Sequence, residues 1–227
     1  MAYYKAEVRK YLNLGELDKN DSAENALFYY SLFNSKMYED ETIITPKTEE
    51  IKQKVKSHLD LVGSNEKDSN TIIEEIFSPE KDIVTCLLLA RRLRQKRFEV
   101  EPNFNYGELE IDLFNEHDKV AIEIKRVYST NNFCKETLET SDKYNKKRLE
   151  NKVFLLFLLP CQDDAHIETI NRATRGFKTV IKEYKQEKRI IPRLDTFVCG
   201  FSEHSSVNEL SEKILGMINL KSEEDNK

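Results

Sequence analysis

Residues 108–126 read ELEIDLFNEHDKVAIEIKR, and this stretch decides the fold. It holds two sets of apolar residues that alternate with polar ones, one on each side of a polar turn: Leu109, Ile111 and Leu113, then Val120, Ile122 and Ile124. Successive side chains of a β-strand point to opposite faces of the sheet. The stretch therefore predicts a β-hairpin with one apolar face and one polar face.

The polar face of this hairpin is expected to collect three carboxylates and one amine, from Glu110, Asp112, Glu123 and Lys125. A slip of one residue in the pairing would bury this charged set, so the apolar match keeps the acids of both strands on one side. Carboxylate oxygens are the ligands that Mg²⁺ prefers. The pattern favours a metal site with an ammonium beside it.

A plainer interpretation of the same face is a wet sheet surface. Antiparallel sheets often keep one face in solvent, and Glu110 and Lys125 would then form a cross-strand ion pair. Glu101 and Glu110 have two possible roles, as outer ligands of a metal or as partners in surface ion pairs, and the second is the favoured one for both.

The elements around the hairpin define its context. Ser78-Pro79-Glu80 has the residues of a helix start, and residues 83–90 are apolar nearly all round, as in a buried helix. A strand is expected over residues 98–101 before the hairpin, and a polar helical stretch after it. Residues 152–160 are apolar without alternation, which is typical of a strand buried on both faces.

This order, together with Asp112, Glu123 and Lys125, resembles the PD-(D/E)XK nuclease superfamily over residues 78–160. The resemblance implies an α/β (α+β) restriction-endonuclease-like core, in which a central mixed sheet is flanked by helices. It also implies that Asp112 and Glu123 bind the metal, that Lys125 is the catalytic lysine, and that Glu80 is a further metal-binding acid. The chain departs from the usual pattern at two positions: Ile111 replaces a proline and Arg97 replaces a glycine.

The reaction that the resemblance implies is hydrolysis of a phosphodiester bond with Mg²⁺, for which Mn²⁺ is an expected substitute. A bound cation lowers the pKa of a water molecule and draws on the phosphate oxygens. Lys125 lies two residues after Glu123, so it shares a face with that acid and is placed to orient the nucleophile or to stabilise charge. The backbone carbonyl of Ile124 is a candidate for another oxygen ligand.

The net charge of the 227-residue chain is −5, which is unusual for a protein that binds nucleic acid. Most of the acidic excess lies in residues 1–80, however, and basic clusters occur beyond them. The cluster expected to bind nucleic acid near the site comprises Lys143, Lys146, Lys147 and Arg148, with Arg126 on the hairpin strand. A further stripe of basic residues, within residues 165–189, is interpreted as a solvated helix face.

The expected domain organisation has three parts. Residues 1–70 form a helical N-terminal region for dimerisation or docking of a protein partner, and residues 71–220 form the nuclease-like domain. Residues 221–227 are expected to be a disordered tail. The stretch 63–70, GSNEKDSN, is interpreted as the linker between the first two parts.

The four cysteines and four histidines show no spacing typical of a metal site, so reduced thiols in a cytoplasmic protein are expected. No apolar run reaches membrane-spanning length and no signal peptide is recognised, so no membrane partner is expected.

Three functions are compatible with the sequence. The first is a Mg²⁺-dependent endonuclease acting on DNA as a homodimer, in restriction or antiviral defence. The second is an effector nuclease of the same fold that acts on RNA or on single strands. The third is a non-catalytic module that binds nucleic acid or protein.

Overall fold

A computed structural model describes residues 8, 24–25, 28–29, 31–32, 46–76, 83–127, 132–146, 151–161, 164–202 and 204–225. The chain divides into two compact units, Met1–Phe98 with Ser205–Lys227, and Glu99–His204. The elements follow in the order α1 (Pro46–Leu61), α2 (Glu66–Ile76), α3 (Ile83–Gln95), β1 (Glu101–Tyr106), β2 (Leu109–Asn115), β3 (Val120–Arg126), α4 (Phe133–Lys146), β4 (Lys152–Pro160), α5 (Asp164–Gln186), β5 (Leu194–Phe201) and α6 (Val207–Asp225).

The second unit contains a five-stranded mixed sheet in the order β1-β2-β3-β4-β5. The first three strands are antiparallel neighbours, whereas β4 is parallel to β3 and β5 is parallel to β4. Strand β3 therefore joins the antiparallel half to the parallel half. The mixed α/β class predicted from the sequence is confirmed.

One face of this sheet packs against α4 and α5. Phe133 and Tyr144 of α4 lie in the same buried cluster as Ala121 of β3, and Phe177 of α5 joins them. The rings of Phe133 and Phe157 have centroids 4.7 Å apart, and Phe133 and Phe177 are 5.0 Å apart. Strand β4 is buried along both faces, from Val153 to Pro160, as its unbroken apolar sequence predicted.

The first unit is helical in the described residues. Helix α3 is buried along most of its length, from Ile83 to Arg91, which confirms the expected buried helix. It packs on α6, and Lys96 just beyond its end forms a 2.8 Å ion pair with Glu212. The buried carboxylate of Glu24 pairs with Arg91 and Arg92 of α3. The predicted helix start at residues 78–80 lies outside the described residues.

The linker predicted over residues 63–70 is wrong, because most of it belongs to α2. Gly63 ends α1 with φ 86, a left-handed conformation that glycine adopts without strain. Asn65 then caps α2, since its side-chain oxygen accepts a 2.9 Å hydrogen bond from the Asp68 amide and its amide group donates to the Asp68 carboxylate. The polar stretch that begins with Gly63 is therefore a tight turn between α1 and α2, followed by the start of α2.

Two other predicted boundaries also differ. The first strand begins at Glu101 and not at residue 98, since residues 96–98 still close the end of α3 through hydrogen bonds to Leu93 and Arg94. The predicted disordered tail is helical as far as Asp225, because α6 continues from a buried stripe formed by Leu210, Ile214 and Ile218. The structure divides the chain near residue 98, whereas the sequence placed a boundary at residue 70.

Candidate active site

The two predicted metal-binding acids lie on neighbouring strands. The β2–β3 ladder pairs Asn115 with Val120 and ends at Leu113 and Ile122. One further step along this register places Asp112 across from Glu123. At that step the Asp112 carboxylate accepts a 2.6 Å hydrogen bond from the Ile124 amide. A side chain therefore continues the contact between the strands at the point where the ladder ends.

The other neighbour of Asp112 is irregular as well. The β1–β2 register runs through Pro102 and Leu113, omits the next position, and resumes at Phe104 and Ile111. The omitted position is that of Asn103, which has φ 52. Asparagine tolerates this left-handed region better than most residues. Asp112 thus lies at a position where the β1–β2 and β2–β3 ladders are both interrupted, so its side chain is not part of a regular sheet surface.

This interruption also changes the faces predicted for β2. Leu109 and Ile111 pack in the cluster that contains Ala121, while Leu113 is buried outside that cluster. The prediction that all three leucine and isoleucine side chains share one face is therefore wrong, because strict alternation does not extend through Asp112. On β3 the alternation holds, since Ala121 packs in the cluster and Ile122 and Ile124 are buried outside it.

Glu123 is enclosed by α4. Its side chain is only 2% exposed. Lys143 donates to both carboxylate oxygens, at 2.9 and 3.0 Å, and the Tyr144 hydroxyl donates to Oε1 at 2.6 Å. The same Lys143 ammonium donates to the backbone carbonyl of Glu110 at 2.8 Å. Lys143 and Tyr144, two consecutive residues of α4, thus bind Glu123 and connect α4 to the hairpin.

The electrostatic environments of Asp112 and Glu123 differ. Burial, followed by the charge of Glu123, raises the pKa of Asp112 to about 7, against the smaller opposing effects of the Ile124 amide, Lys125 and Lys143. Burial and the same glutamate raise the pKa of the Tyr144 hydroxyl, so it stays protonated and acts as a donor. Asp112 is the acid that changes charge near neutral pH.

Lys125 is half-buried on β3, two residues beyond Glu123. Its charge lowers the pKa of Asp112, which places it near that carboxylate. Among the described residues, the hydrogen-bonded ion pair with Glu123 comes from Lys143 and not from Lys125. The cross-strand ion pair between Glu110 and Lys125 does not form, and Glu110 is exposed.

The donor set suits a hard divalent cation in part. Asp112 and Glu123 supply carboxylate oxygens, but no group of three or more acidic, histidine or cysteine side chains in the described part of the chain is arranged to hold a metal. Glu80, the third predicted acid, lies outside the described residues. The Ile124 amide orients Asp112, and its predicted carbonyl contact with a metal stays a prediction.

The residues expected to bind nucleic acid have different environments. Lys146 is exposed in the last turn of α4, and Arg126 is half-buried at the end of β3. Lys147 and Arg148 lie outside the described residues. The basic stripe within residues 165–189 lies mostly on α5, and its exposed members are Arg172, Arg175, Lys178, Lys182 and, beyond the end of the helix, Arg189. Ile170, Phe177 and Ile181 form the buried side of that helix.

The contacts of Lys143 and Tyr144 with Glu123 were not foreseen from the sequence. One signal was present, because Phe133, Thr137, Ser141 and Tyr144 recur at helical spacing and form the buried face of α4. A tyrosine on such a face brings its hydroxyl into the interior, where it needs an acceptor.

Comparisons of the chain with protein-family models, with curated proteins and with solved structures found no match in any of the three. The resemblance to PD-(D/E)XK nucleases therefore depends on the order of elements and on Asp112, Glu123 and Lys125. No helix in the described residues has both the length and the apolar character needed to cross a membrane.

Proposed function

We propose that this protein is a metal-dependent endonuclease that hydrolyses DNA, with Asp112 and Glu123 as the metal-binding acids. The observation that carries the proposal is the meeting of these two carboxylates at the interrupted end of the β2–β3 ladder, where Glu123 is 2% exposed. Two acids this close, one buried and one half-buried, repel each other when both are ionised. A divalent cation between them would relieve that repulsion.

The chain's own groups have separate tasks in this proposal. The Ile124 amide orients the Asp112 carboxylate, and Tyr144 and Lys143 orient Glu123. Lys125 provides a positive charge on the same strand as Glu123, where a phosphate oxygen would be stabilised. A bound Mg²⁺ or Mn²⁺ supplies the activation of water and the neutralisation of charge on phosphorus.

The substrate and partners belong to the same proposal. DNA is the favoured substrate, cleaved by a homodimer in restriction or antiviral defence, and RNA or single-stranded nucleic acid is the alternative. Exposed lysine and arginine side chains, such as Lys146 on α4, are suited to phosphate contact. The N-terminal helices are proposed to support self-association or to bind a protein partner in the cytoplasm.

One observation favours a second candidate, a non-catalytic binding module on the same scaffold. Both oxygens of Glu123 already accept hydrogen bonds from Lys143 and Tyr144. Buried charges are normally paired in this way when their role is structural. In that case Glu123 would stabilise the packing of α4 and would bind no cation.

A cleavage experiment separates the two candidates. Purified protein is incubated with double-stranded DNA, single-stranded DNA and RNA, each with Mg²⁺, Mn²⁺ or EDTA. The proposal expects cleavage with a divalent cation that is lost in Asp112→Asn and in Glu123→Gln. Glu116→Gln is the matched control, because it removes an exposed carboxylate from the turn of the same hairpin. Cleavage that persists in Asp112→Asn would exclude this site, and binding without cleavage under every cation would favour the module.

A further inference from the structure

Lys143 occupies the position on Glu123 that a metal ion would need. A carboxylate has about four lone-pair sites on its two oxygens. Lys143 uses one site on each oxygen, and Tyr144 uses a second site on Oε1. Three of these sites are thus used, and a cation that binds both oxygens of Glu123 competes with the Lys143 ammonium for them.

Lys143 has room to leave this position. Its side chain is 36% exposed, whereas Glu123 is 2% exposed, so the amine lies at the boundary between the buried acid and solvent. Its other hydrogen bond, to the Glu110 carbonyl, is also exposed, and the ammonium lies 5.7 Å from the centroid of the Tyr144 ring. Lysine is a flexible point charge with three donors, which suits an ammonium that changes partner. Tyr144 is fully buried and stays with Glu123.

We propose that Lys143 and a divalent cation exchange on Glu123, and that the released ammonium binds a phosphate group of the nucleic acid. This inference rests on the proposed function, since it takes Glu123 as a metal ligand. It makes Lys143 a second amine of the site, beside Lys125. The two lysines come from different elements, α4 and β3.

The first test measures Mn²⁺ binding by electron paramagnetic resonance at pH 8.5. Lys143→Gln is expected to bind Mn²⁺ about five- to tenfold more tightly than the wild type, because one charge-assisted contact no longer competes. Lys146→Gln is the matched control: it removes the same charge from an exposed position one turn along α4, and its Mn²⁺ affinity is expected to change less than twofold.

The outcomes of this test are distinct. If wild type and Glu123→Gln bind Mn²⁺ equally, the proposed function fails at its metal site. If the wild type binds Mn²⁺ through Glu123 but Lys143→Gln binds it equally or more weakly, the exchange alone is overturned.

The second test measures the affinity for a 20-base-pair duplex by fluorescence anisotropy, once with Ca²⁺ and once with EDTA. Lys143→Gln is expected to lose about five- to tenfold in affinity with Ca²⁺ and less than twofold with EDTA, since only the released ammonium reaches a phosphate. Lys146→Gln is expected to lose affinity equally in both conditions. Equal losses in both conditions for Lys143→Gln would overturn the phosphate contact.

A third measurement is made on the wild-type protein and uses only the conservative variant Lys143→Arg for assignment, so it does not depend on the folding of Lys143→Gln. The Lys143 ammonium, held by three acceptors, is expected to give a protected lysine side-chain nitrogen signal in NMR, assigned by its loss in Lys143→Arg. Addition of Mg²⁺ is expected to remove that protection. A signal that stays unchanged at saturating Mg²⁺ overturns the exchange.

Discussion

Asp112 and Glu123 differ at the residue scale in how the protein balances their charge. Glu123 has three hydrogen bonds from an ammonium and a hydroxyl, which favour its ionised form. Asp112 has one amide donor and is close to Glu123, so its pKa rises to about 7. The response to pH near neutrality is therefore argued for Asp112.

The raised pKa of Asp112 predicts that metal binding weakens below neutral pH. A ligand carboxylate must lose its proton, so the Mn²⁺ affinity should fall about tenfold for each pH unit below 7. Calorimetric titrations between pH 5.5 and 8.5 measure this slope. Asp112→Asn, which has no proton to lose there, should bind weakly at every pH. A wild-type affinity that is constant across the range would contradict the prediction.

The same pKa fixes the sign of a stability effect in the metal-free protein. A carboxyl group with a raised pKa binds its proton more tightly in the folded state. Its contribution to stability is complete below the unfolded pKa of about 4 and is lost as pH rises toward 7. Urea unfolding with EDTA should therefore show less loss of stability across this range in Asp112→Asn than in the wild type.

The third residue-scale prediction concerns Tyr144. Tyr144→Phe keeps the buried ring but removes one donor from the buried Glu123 carboxylate, so the free energy of unfolding should fall by about 1–3 kcal/mol. Urea denaturation at pH 7.5 measures the change. Tyr106→Phe is the control because Tyr106 is 54% exposed, and it should change stability by less than about 0.5 kcal/mol. Equal effects of the two variants would show that the hydrogen bond contributes nothing.

At the element scale, the site is built from the hairpin and from the crossover helix α4. The hairpin holds the two acids, and α4 supplies the groups that surround Glu123. A second contact fixes α4 to the segment before β5, since the buried Ile191 amide donates to Ser141 Oγ at 2.9 Å. The position of α4 therefore depends on the parallel half of the sheet as well as on the hairpin.

Ser141→Ala tests this connection. It leaves the buried Ile191 amide without an acceptor, which should cost about 1–3 kcal/mol in the free energy of unfolding. Thr179→Ala is the control: it also removes a helix hydroxyl, but from an exposed position on α5, so it should have little effect. Denaturant unfolding of both variants measures the difference. A loss of less than about 0.5 kcal/mol in Ser141→Ala would contradict the expected role of the contact.

Much of the fold was predictable at this scale because apolar periodicity records which faces are buried. It located β3 and β4, and it identified residues 83–90 as part of a buried helix. It failed at Asp112, where two ladders are interrupted and strict alternation stops. The sequence pattern also identified the two acids but not the residues around them. Lys143 and Tyr144 contact Glu123 from positions 20 and 21 residues away in sequence.

At the scale of the whole molecule, the net charge of −5 conceals an uneven distribution. The exposed basic side chains of α5 form one stripe, and Lys146 of α4 belongs to another group. Only the basic residues that contact phosphate contribute to the salt dependence of nucleic-acid binding.

A salt titration separates the two groups. Lys146→Gln should reduce the slope of log affinity against log salt by about one, as for one lost phosphate contact. The triple variant Arg175→Gln, Lys178→Gln and Lys182→Gln removes more charge but should leave the slope unchanged, because the α5 stripe is interpreted as a solvated face. Both variants should retain wild-type unfolding curves, since all four residues are exposed. A shallower slope in the triple variant would place α5 on the nucleic acid.

The place of β3 between the two halves of the sheet has a consequence for the order in which the chain matures. Strands β2 and β3 are neighbours in sequence and join through a short turn, so their pairing closes only a small loop, whereas the pairing of β3 with β4 spans the 25 residues between Arg126 and Lys152. We therefore expect the hairpin to bring Asp112 and Glu123 together before α4 packs beside Glu123. The hairpin alone then determines which two acids meet, and α4 determines what surrounds them.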